Sequence, residues 1–250
     1  MRALLLFVMS NLLIEMGNTA LKAVWAEGET VGRTIRYQGE KVIEFIQHLT
    51  EKEKPEVLVL ASVRDISLQD ETVLNSLCHQ LVLIDKNHPA LLRAYGLPEY
   101  LSPDRAAGII AARKLFSGKE CLLFDFGTIL SIDFIEADGS YSGGNVSLGC
   151  RTRFKALNRY AKNLPLVNTP KTLGFLGNTA VSGIENGVIL GIKFEVDAYI
   201  ASKPDSVIIF TGGDAHLFVR HTSKSVFVVN NLVLMGLAVI SMDYEKNWNS

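Results

Sequence analysis

Residues 12–28, LLIEMGNTALKAVWAEG, and residues 122–139, LLFDFGTILSIDFIEADG, share one design. Each runs from an apolar strand into an acid (Glu15, Asp125), then any residue, Gly and Thr, with an extra Asn in the first copy. A second strand and an acidic-Gly turn follow in both. Self-similarity of this kind reads as two copies of a βββαβα-like unit. A carboxylate at the tip of a hydrophobic strand is costly to build for packing alone. The repeated acid and turn are therefore expected to hold something.

Working outward, the first half reads as strands over 11–16, 20–26 and 32–37, then a helix with Val42, Ile43, Phe45, Ile46 and Leu49 at helical spacing. PEVLVLASV (55–63) and QLVLID (80–85) read as buried strands around a short helix over 70–79. A Pro-punctuated loop leads into a helix over 103–116. In the second half, the repeated strands are followed by a Gly-rich loop, SGGNVSLG (142–149), that opens a helix over 150–162. A long helix over 179–202, a strand ending in Thr211-Gly212-Gly213, a short strand SVFVV (225–229) and an apolar helix over 231–242 complete the chain. This pattern is α/β. Two domains are expected, 1–117 and 118–250, with the boundary at FSGKE.

Composition narrows the function. The 250 residues are 48% hydrophobic and 20% charged with a formal net charge of -1, which suits a globular protein and offers no basic surface for nucleic acid. Cys78, Cys121 and Cys150 lack paired spacing, so neither a disulfide framework nor a zinc site is expected, and a reducing cytoplasm fits. His48, His79, His88, His216 and His221 lack ligand or triad spacing; Cys150, at a helix start, is a candidate for a lowered pKa. MRALLLFVMS has the outline of a signal peptide without an A-x-A-like cleavage site. The alternatives are an extension of the first strand or a start at Met9. No other segment approaches a membrane-spanning length.

A tight hairpin rich in Gly, Asn and Thr aims consecutive backbone N–H groups at one point, an anion nest suited to phosphate. An acid beside phosphates requires a cation between them, and Mg²⁺ takes one or two carboxylates plus phosphate oxygens and waters. Gly212 and Gly213 after a strand leave room for a flat ring such as adenine to approach the backbone. Each piece alone is also an ordinary turn; their order on a duplicated unit favours a nucleotide site.

The motif order resembles the type III pantothenate kinase family of the actin-like, sugar-kinase-like ATPase superfamily. The segments that carry the resemblance are EMGNTALK, YGLPEYLSPDR, DFGTILSID, YSGGNVSLG, YAKNLPLV, LGNTAVSGIENGVILG and FTGGDA. It implies duplicated ribonuclease H-like domains facing across a nucleotide cleft, and transfer of the ATP γ-phosphoryl group to pantothenate, the first step of coenzyme A synthesis. Carried over by position, the ATP loop is Glu15, Met16, Gly17, Asn18, Thr19, Ala20, Leu21 and Lys22, with Glu15 reaching Mg²⁺ through water. Thr128, Gly212 and Gly213 also match ATP contacts. Asp125 matches the ligand of a monovalent cation, K⁺ or NH₄⁺. Asp104 matches the general base, and Tyr95, Ser102, Pro103, Arg105 and Thr179 match pantothenate contacts. A homodimer with the substrate pocket near its interface is also implied.

The residues of SPDR have a second reading as a helix start, with Ser102 as N-cap, Pro103 at the first position and Asp104 in the first turn. The chain departs from the family pattern at Glu15 (Asp is usual), Ser102 (Gly), Ile129 (Ala), Ser131 (Thr) and Leu148 (Pro). Glu15 matters most, because its extra methylene moves the carboxylate by about 1.5 Å. It raises an alternative: a catalytically weakened homologue acting as a nucleotide-binding or regulatory module.

Overall fold

The computed structural model describes residues 10–222 and 224–248, so the readings of residues 1–9 lie outside it. The chain forms two compact units, one of residues through 111 together with those from 232 onward, the other of residues 112–231.

In the first unit, β1 (Asn11–Met16), β2 (Leu21–Glu27), β3 (Thr30–Val31) and β4 (Ile35–Tyr37) precede α1 (Val42–Thr50). Then come β5 (Val57–Ser62), α2 (Leu68–Ser76), β6 (Gln80–Ile84), α3 (Ala90–Ala94) and α4 (Pro103–Leu115), inside which the unit boundary falls. The sheet order is β3-β2-β1-β5-β6, with β4 also on β2. β1 is antiparallel to β2 and parallel to β5. In place of the strand expected over 32–37 the chain forms β3 and β4, separated by residues 32–34. The Gly32 N–H bonds the Trp25 carbonyl at 2.9 Å, and a Cβ there would stand 3.0 Å from that oxygen, so the edge bends.

Strand alternation divides β1 between two layers. Leu12, Ile14 and Met16 join Leu21, Ala23, Leu58 and Leu60 in a core closed by Ile46 of α1 and Leu74 of α2. Asn11, Leu13 and Glu15 face the other way.

The second unit carries β7 (Cys121–Phe126), β8 (Ile129–Ile135), β9 (Tyr141–Leu148), α5 (Cys150–Tyr160), α6 (Ala180–Ser202), β10 (Val207–Thr211), α7 (Ala215–Val219) and β11 (Phe227–Val228). Its sheet order, β9-β8-β7-β10-β11, repeats that of the first unit. The strand senses repeat as well, with β7 antiparallel to β8 and parallel to β10. The duplication read in the sequence is therefore one of topology. Phe124 and Phe126 meet Phe210 edge to face, Phe126 stacks on Phe218, and the cluster buries against Phe154 of α5 and Ile184, Val188 and Ile192 of α6.

SGGNVSLG, expected as a loop, is almost entirely strand β9. Pairing with β8 supplies the hydrogen bonds and overrides the low strand propensity of Gly143 and Gly144. Gly143, at φ +131, sits beside the bulge at Phe134/Ile135, where its missing side chain is useful.

The last helix, α8 (Leu232–Trp248), runs beyond its expected end and packs on β1 and β5 of the first unit. Asn11 ties it down, donating from Nδ2 to Ser241 Oγ at 3.2 Å and to Glu245 Oε1 at 2.5 Å. Gly236 lies so close to α4 that a Cβ would come within 1.9 Å of the Ala107 carbonyl.

Candidate functional site

β1 and β2 place Glu15 directly opposite Lys22. Lys22 Nζ lies 2.9 Å from Glu15 Oε2 and 3.2 Å from Oε1, so the ammonium engages both carboxylate oxygens. The glutamate side chain is 14% exposed and the lysine 36%. Met16 is buried opposite Leu21, and the Gly17 N–H closes the turn onto the Ala20 carbonyl at 3.0 Å. Asn18 and Thr19 stand exposed at the tip. A Cβ on Gly17 would approach only the Ala20 carbonyl, at 3.4 Å. Protein packing does not demand that glycine; close approach by a ligand would. Among the described residues no group of three or more His, Cys, Asp or Glu side chains could cage a metal. A half-buried carboxylate paired with Lys22 beside a glycine turn fits a water-mediated contact to Mg²⁺ delivered with nucleotide phosphates.

The second turn is built on the same register. Asp125 faces Ser131 across the antiparallel pair and Thr211 across the parallel pair, so three oxygen-bearing side chains are neighbours. Ser131 Oγ is buried without a hydrogen-bond partner, while Thr211 Oγ1 donates to the Val229 carbonyl at 2.8 Å. A buried orphan hydroxyl beside a carboxylate is an oxygen donor set that suits a cation. Thr128 is exposed, and its carbonyl is gripped by the Gly149 N–H at 3.1 Å and Thr152 Oγ1 at 2.6 Å. A Cβ on Gly149 would fall 2.1 Å from the Gly127 carbonyl, which makes that glycine obligatory.

Gly212 and Gly213 have different reasons to be glycine. Gly212 has φ +89, and a Cβ there would lie 2.4 Å from Asp125 Oδ1 and 2.6 Å from the Phe126 backbone. Gly213 has open space around its would-be Cβ, so the fold leaves that position free for a ligand. The next residue, Asp214, donates its N–H to the Phe126 carbonyl at 3.1 Å. Burial raises the Asp214 carboxyl pKa above the ordinary range, partly opposed by Arg151.

In the first unit, the Tyr95 hydroxyl donates to Asp243 Oδ2 of α8 at 2.8 Å, and burial followed by that bond pushes its pKa upward. Ser102 begins α4 through its carbonyl, which accepts from the Ala106 N–H at 3.0 Å. Its hydroxyl is buried without a partner, so it does not cap the helix. Pro103 is buried at the first helical position, and half-buried Asp104 accepts the Arg105 N–H through Oδ1 at 2.9 Å. Thr179 lies in the second unit as the N-cap of α6, in a reciprocal capping box with Ser182. The thiol expected to be acidified is the opposite: burial pushes Cys150 up to about 11.

Sequence reading missed Arg64, whose guanidinium reaches the first turn, and Asp243, the Tyr95 partner. Neither sits in a motif.

A family profile described as type III pantothenate kinase matches residues 11–202. A protein from Bacteroides fragilis named type III pantothenate kinase is 31% identical over 91% of this chain and 95% of its own length. Among solved structures, the ADPNP-bound activator of the 2-hydroxyisocaproyl-CoA dehydratase from Clostridium difficile is similar in fold. It has a TM-score of 0.57 at 13% identity, covering 96% of this chain and 97% of that one. A ROK hexokinase from Thermus thermophilus is similar at a TM-score of 0.51 and 12% identity, covering 92% and 98%. The repeated sheet order and these neighbours identify the fold as that of the actin-like, sugar-kinase-like ATPases.

Proposed function

The chain belongs to the type III pantothenate kinase family, and from that premise we infer that it transfers the γ-phosphoryl group of ATP to the primary hydroxyl of pantothenate. The observation that carries this reading is the match over both copies of the acid-and-turn hairpin, on two sheets of identical order.

In this reading the Glu15–Lys22 hairpin is the ATP loop, and Thr128, Gly212 and Gly213 are further ATP contacts. Asp104 accepts the proton of the attacking pantothenate hydroxyl as the new O–P bond forms and ADP departs. It sits in the first turn of α4, on a regular helix that fixes its position. Arg105 presents a planar fork that matches the pantothenate carboxylate. Tyr95, held by Asp243, and Ser102 and Pro103 are the pantothenate contacts of the first unit, and Thr179 is a further contact carried by the second. The buried, unpaired hydroxyl of Ser102 is a ready donor for substrate.

Glu15 would hold Mg²⁺ through water, and Asp125 with Ser131 would hold K⁺ or NH₄⁺. When bound, these cations neutralise phosphate charge. A water-mediated contact tolerates the longer Glu15 side chain, and no described feature supports the alternative of a weakened binding module.

A homodimer is part of this reading. Between α5 and α6 lies an apolar groove of about 880 Å³, lined by Leu148, Leu157, Leu164, Ile184 and Val188. Exposed Tyr160 also lines it, a surface that a second copy would cover. The reaction belongs in the cytoplasm, where ATP is available and Cys78, Cys121 and Cys150 remain the free thiols the structure has. No helix among the described residues is long and apolar enough to cross a membrane. The test is ADP release with ATP, Mg²⁺ and K⁺: it should require pantothenate and fall when Na⁺ replaces K⁺. Release independent of pantothenate would refute the reading.

A further inference from the structure

Arg64 lies just past β5, outside the repeated motif, yet its side chain ends on the β1–β2 turn. Nε donates to the Gly17 carbonyl at 2.9 Å and a terminal nitrogen donates to the Asn18 carbonyl at 3.3 Å. In a trans peptide the carbonyl and the following N–H point in opposite directions. Capturing these two carbonyls therefore turns the N–H groups of Asn18 and Thr19 away from the guanidinium, toward the open side of the turn. Two successive N–H groups on one side make the nest that binds an anion.

We propose that Arg64 is a positioning residue for the ATP phosphates, holding the Gly17–Asn18 and Asn18–Thr19 peptide planes in their phosphate-binding orientation. This rests on the kinase reading and adds to it a residue that the motif does not contain. The arginine is itself held in place. Ser62 Oγ, on a residue 3% exposed, accepts the Arg64 N–H at 3.0 Å and donates to the Arg64 carbonyl at 2.8 Å. The Val63 N–H bonds the Met16 carbonyl at 3.1 Å, which ties this segment to the end of β1.

The fork of a guanidinium suits two acceptors on adjacent peptides, where an ammonium offers a single point of contact. Among the described residues Arg64 has no acidic partner, and neighbouring Asp65 pairs with Lys86 at 2.5 Å. Its positive charge is thus left to act on the loop and its ligand. In the second unit the Thr128 carbonyl is captured in the same manner by neutral donors, the Gly149 N–H and the Thr152 hydroxyl. Among the described residues the first turn has two carbonyls held by a charged donor, and the second has one held by neutral donors.

The experiment is ATP titration onto the wild type, Arg64→Ala and Arg64→Lys without pantothenate, followed by KM values for both substrates and a thermal midpoint. Arg64→Ala should weaken ATP binding about tenfold, the cost of losing charged hydrogen bonds. KM for ATP should rise with it, while KM for pantothenate stays within about twofold, as expected of an effect confined to one ligand. Arg64→Lys, which restores the charge and one bond, should recover part of the loss. A folded Arg64→Ala protein that binds ATP as the wild type does would overturn the proposal. Should Arg64→Ala not fold, Arg64→Lys decides, and unaltered ATP affinity in it would overturn the proposal equally. Wild-type protein that binds ATP but gives no pantothenate-dependent turnover would sink the kinase reading while leaving the Arg64 comparison legible.

Discussion

Glu15 and Lys22 face each other across the β1–β2 pair, with the lysine ammonium 2.9 Å and 3.2 Å from the two carboxylate oxygens. The family's shorter aspartate would draw the carboxylate back by about one C–C bond, roughly 1.5 Å. The pair therefore turns the longer side chain into an ordered one, fixed beside the β1–β2 turn.

Removing the charge should matter more than shortening the chain. Glu15→Gln is expected to lower kcat/KM for ATP about a hundredfold and to raise the Mg²⁺ needed for half-maximal rate. Glu15→Asp should stay within about threefold of wild type, because an intervening water adjusts to the shift. ADP release across a Mg²⁺ titration reads both. A rate gain of tenfold or more in Glu15→Asp, about 1.4 kcal/mol, would mean that the natural loop is compromised.

Gly212 and Gly213 should separate stability from binding. Gly212→Ala forces a side chain at φ +89 into Asp125 and should cost about 1–3 kcal/mol of stability. Gly213→Ala meets nothing within 4 Å, so its thermal midpoint should hold while KM for ATP rises. Equal midpoints for the two variants would contradict the steric account.

The duplicated acid and turn were legible because each lies on consecutive residues, with apolar alternation on both sides of Glu15 and Asp125. Arg64 was not, since its contact joins the end of β5 to the β1–β2 turn through parallel pairing, which spacing along the chain does not encode. The Tyr95–Asp243 bond likewise depends on α8 returning to the first unit. In SGGNVSLG, glycine content argued for a loop, and only the partner β8 made it a strand. Ser102 had the right chemistry for a cap, but its hydroxyl is buried and bonds nothing.

Ser131 offers a direct probe of the proposed monovalent-cation site. Its buried hydroxyl has no partner, so Ser131→Ala should leave stability unchanged, or raise it by about 1 kcal/mol, when K⁺ is absent. The K⁺ concentration for half-activation should increase severalfold. An unchanged K⁺ dependence would remove Ser131 from the donor set.

Burial also sets an alkaline limit. Cys78, Cys121 and Cys150 are each raised from 9.0 to about 11, and Tyr95 is raised as well. Above pH 9 for the thiols, and above pH 10 for Tyr95, the unfolded chain releases its protons before the folded one, so the folded state binds more protons and loses stability as pH rises. The contribution is complete below pH 9 and is lost as pH climbs to about 11. Denaturant midpoints should be level from pH 7 to 9 on account of these groups and fall above that. Replacing Cys121 with Ala should flatten the fall, and an unaltered slope would contradict this assignment.

The central claim is tested most directly by following the phosphoryl group itself. ATP labelled on its γ-phosphate is incubated with the protein, Mg²⁺, K⁺ and pantothenate, and the acceptor is analysed by mass spectrometry. The account predicts labelled phosphate esterified to the primary hydroxyl of pantothenate, and a rate lowered about a hundredfold or more in Asp104→Asn. Label that never reaches pantothenate, or an Asp104→Asn enzyme as fast as wild type, would contradict it.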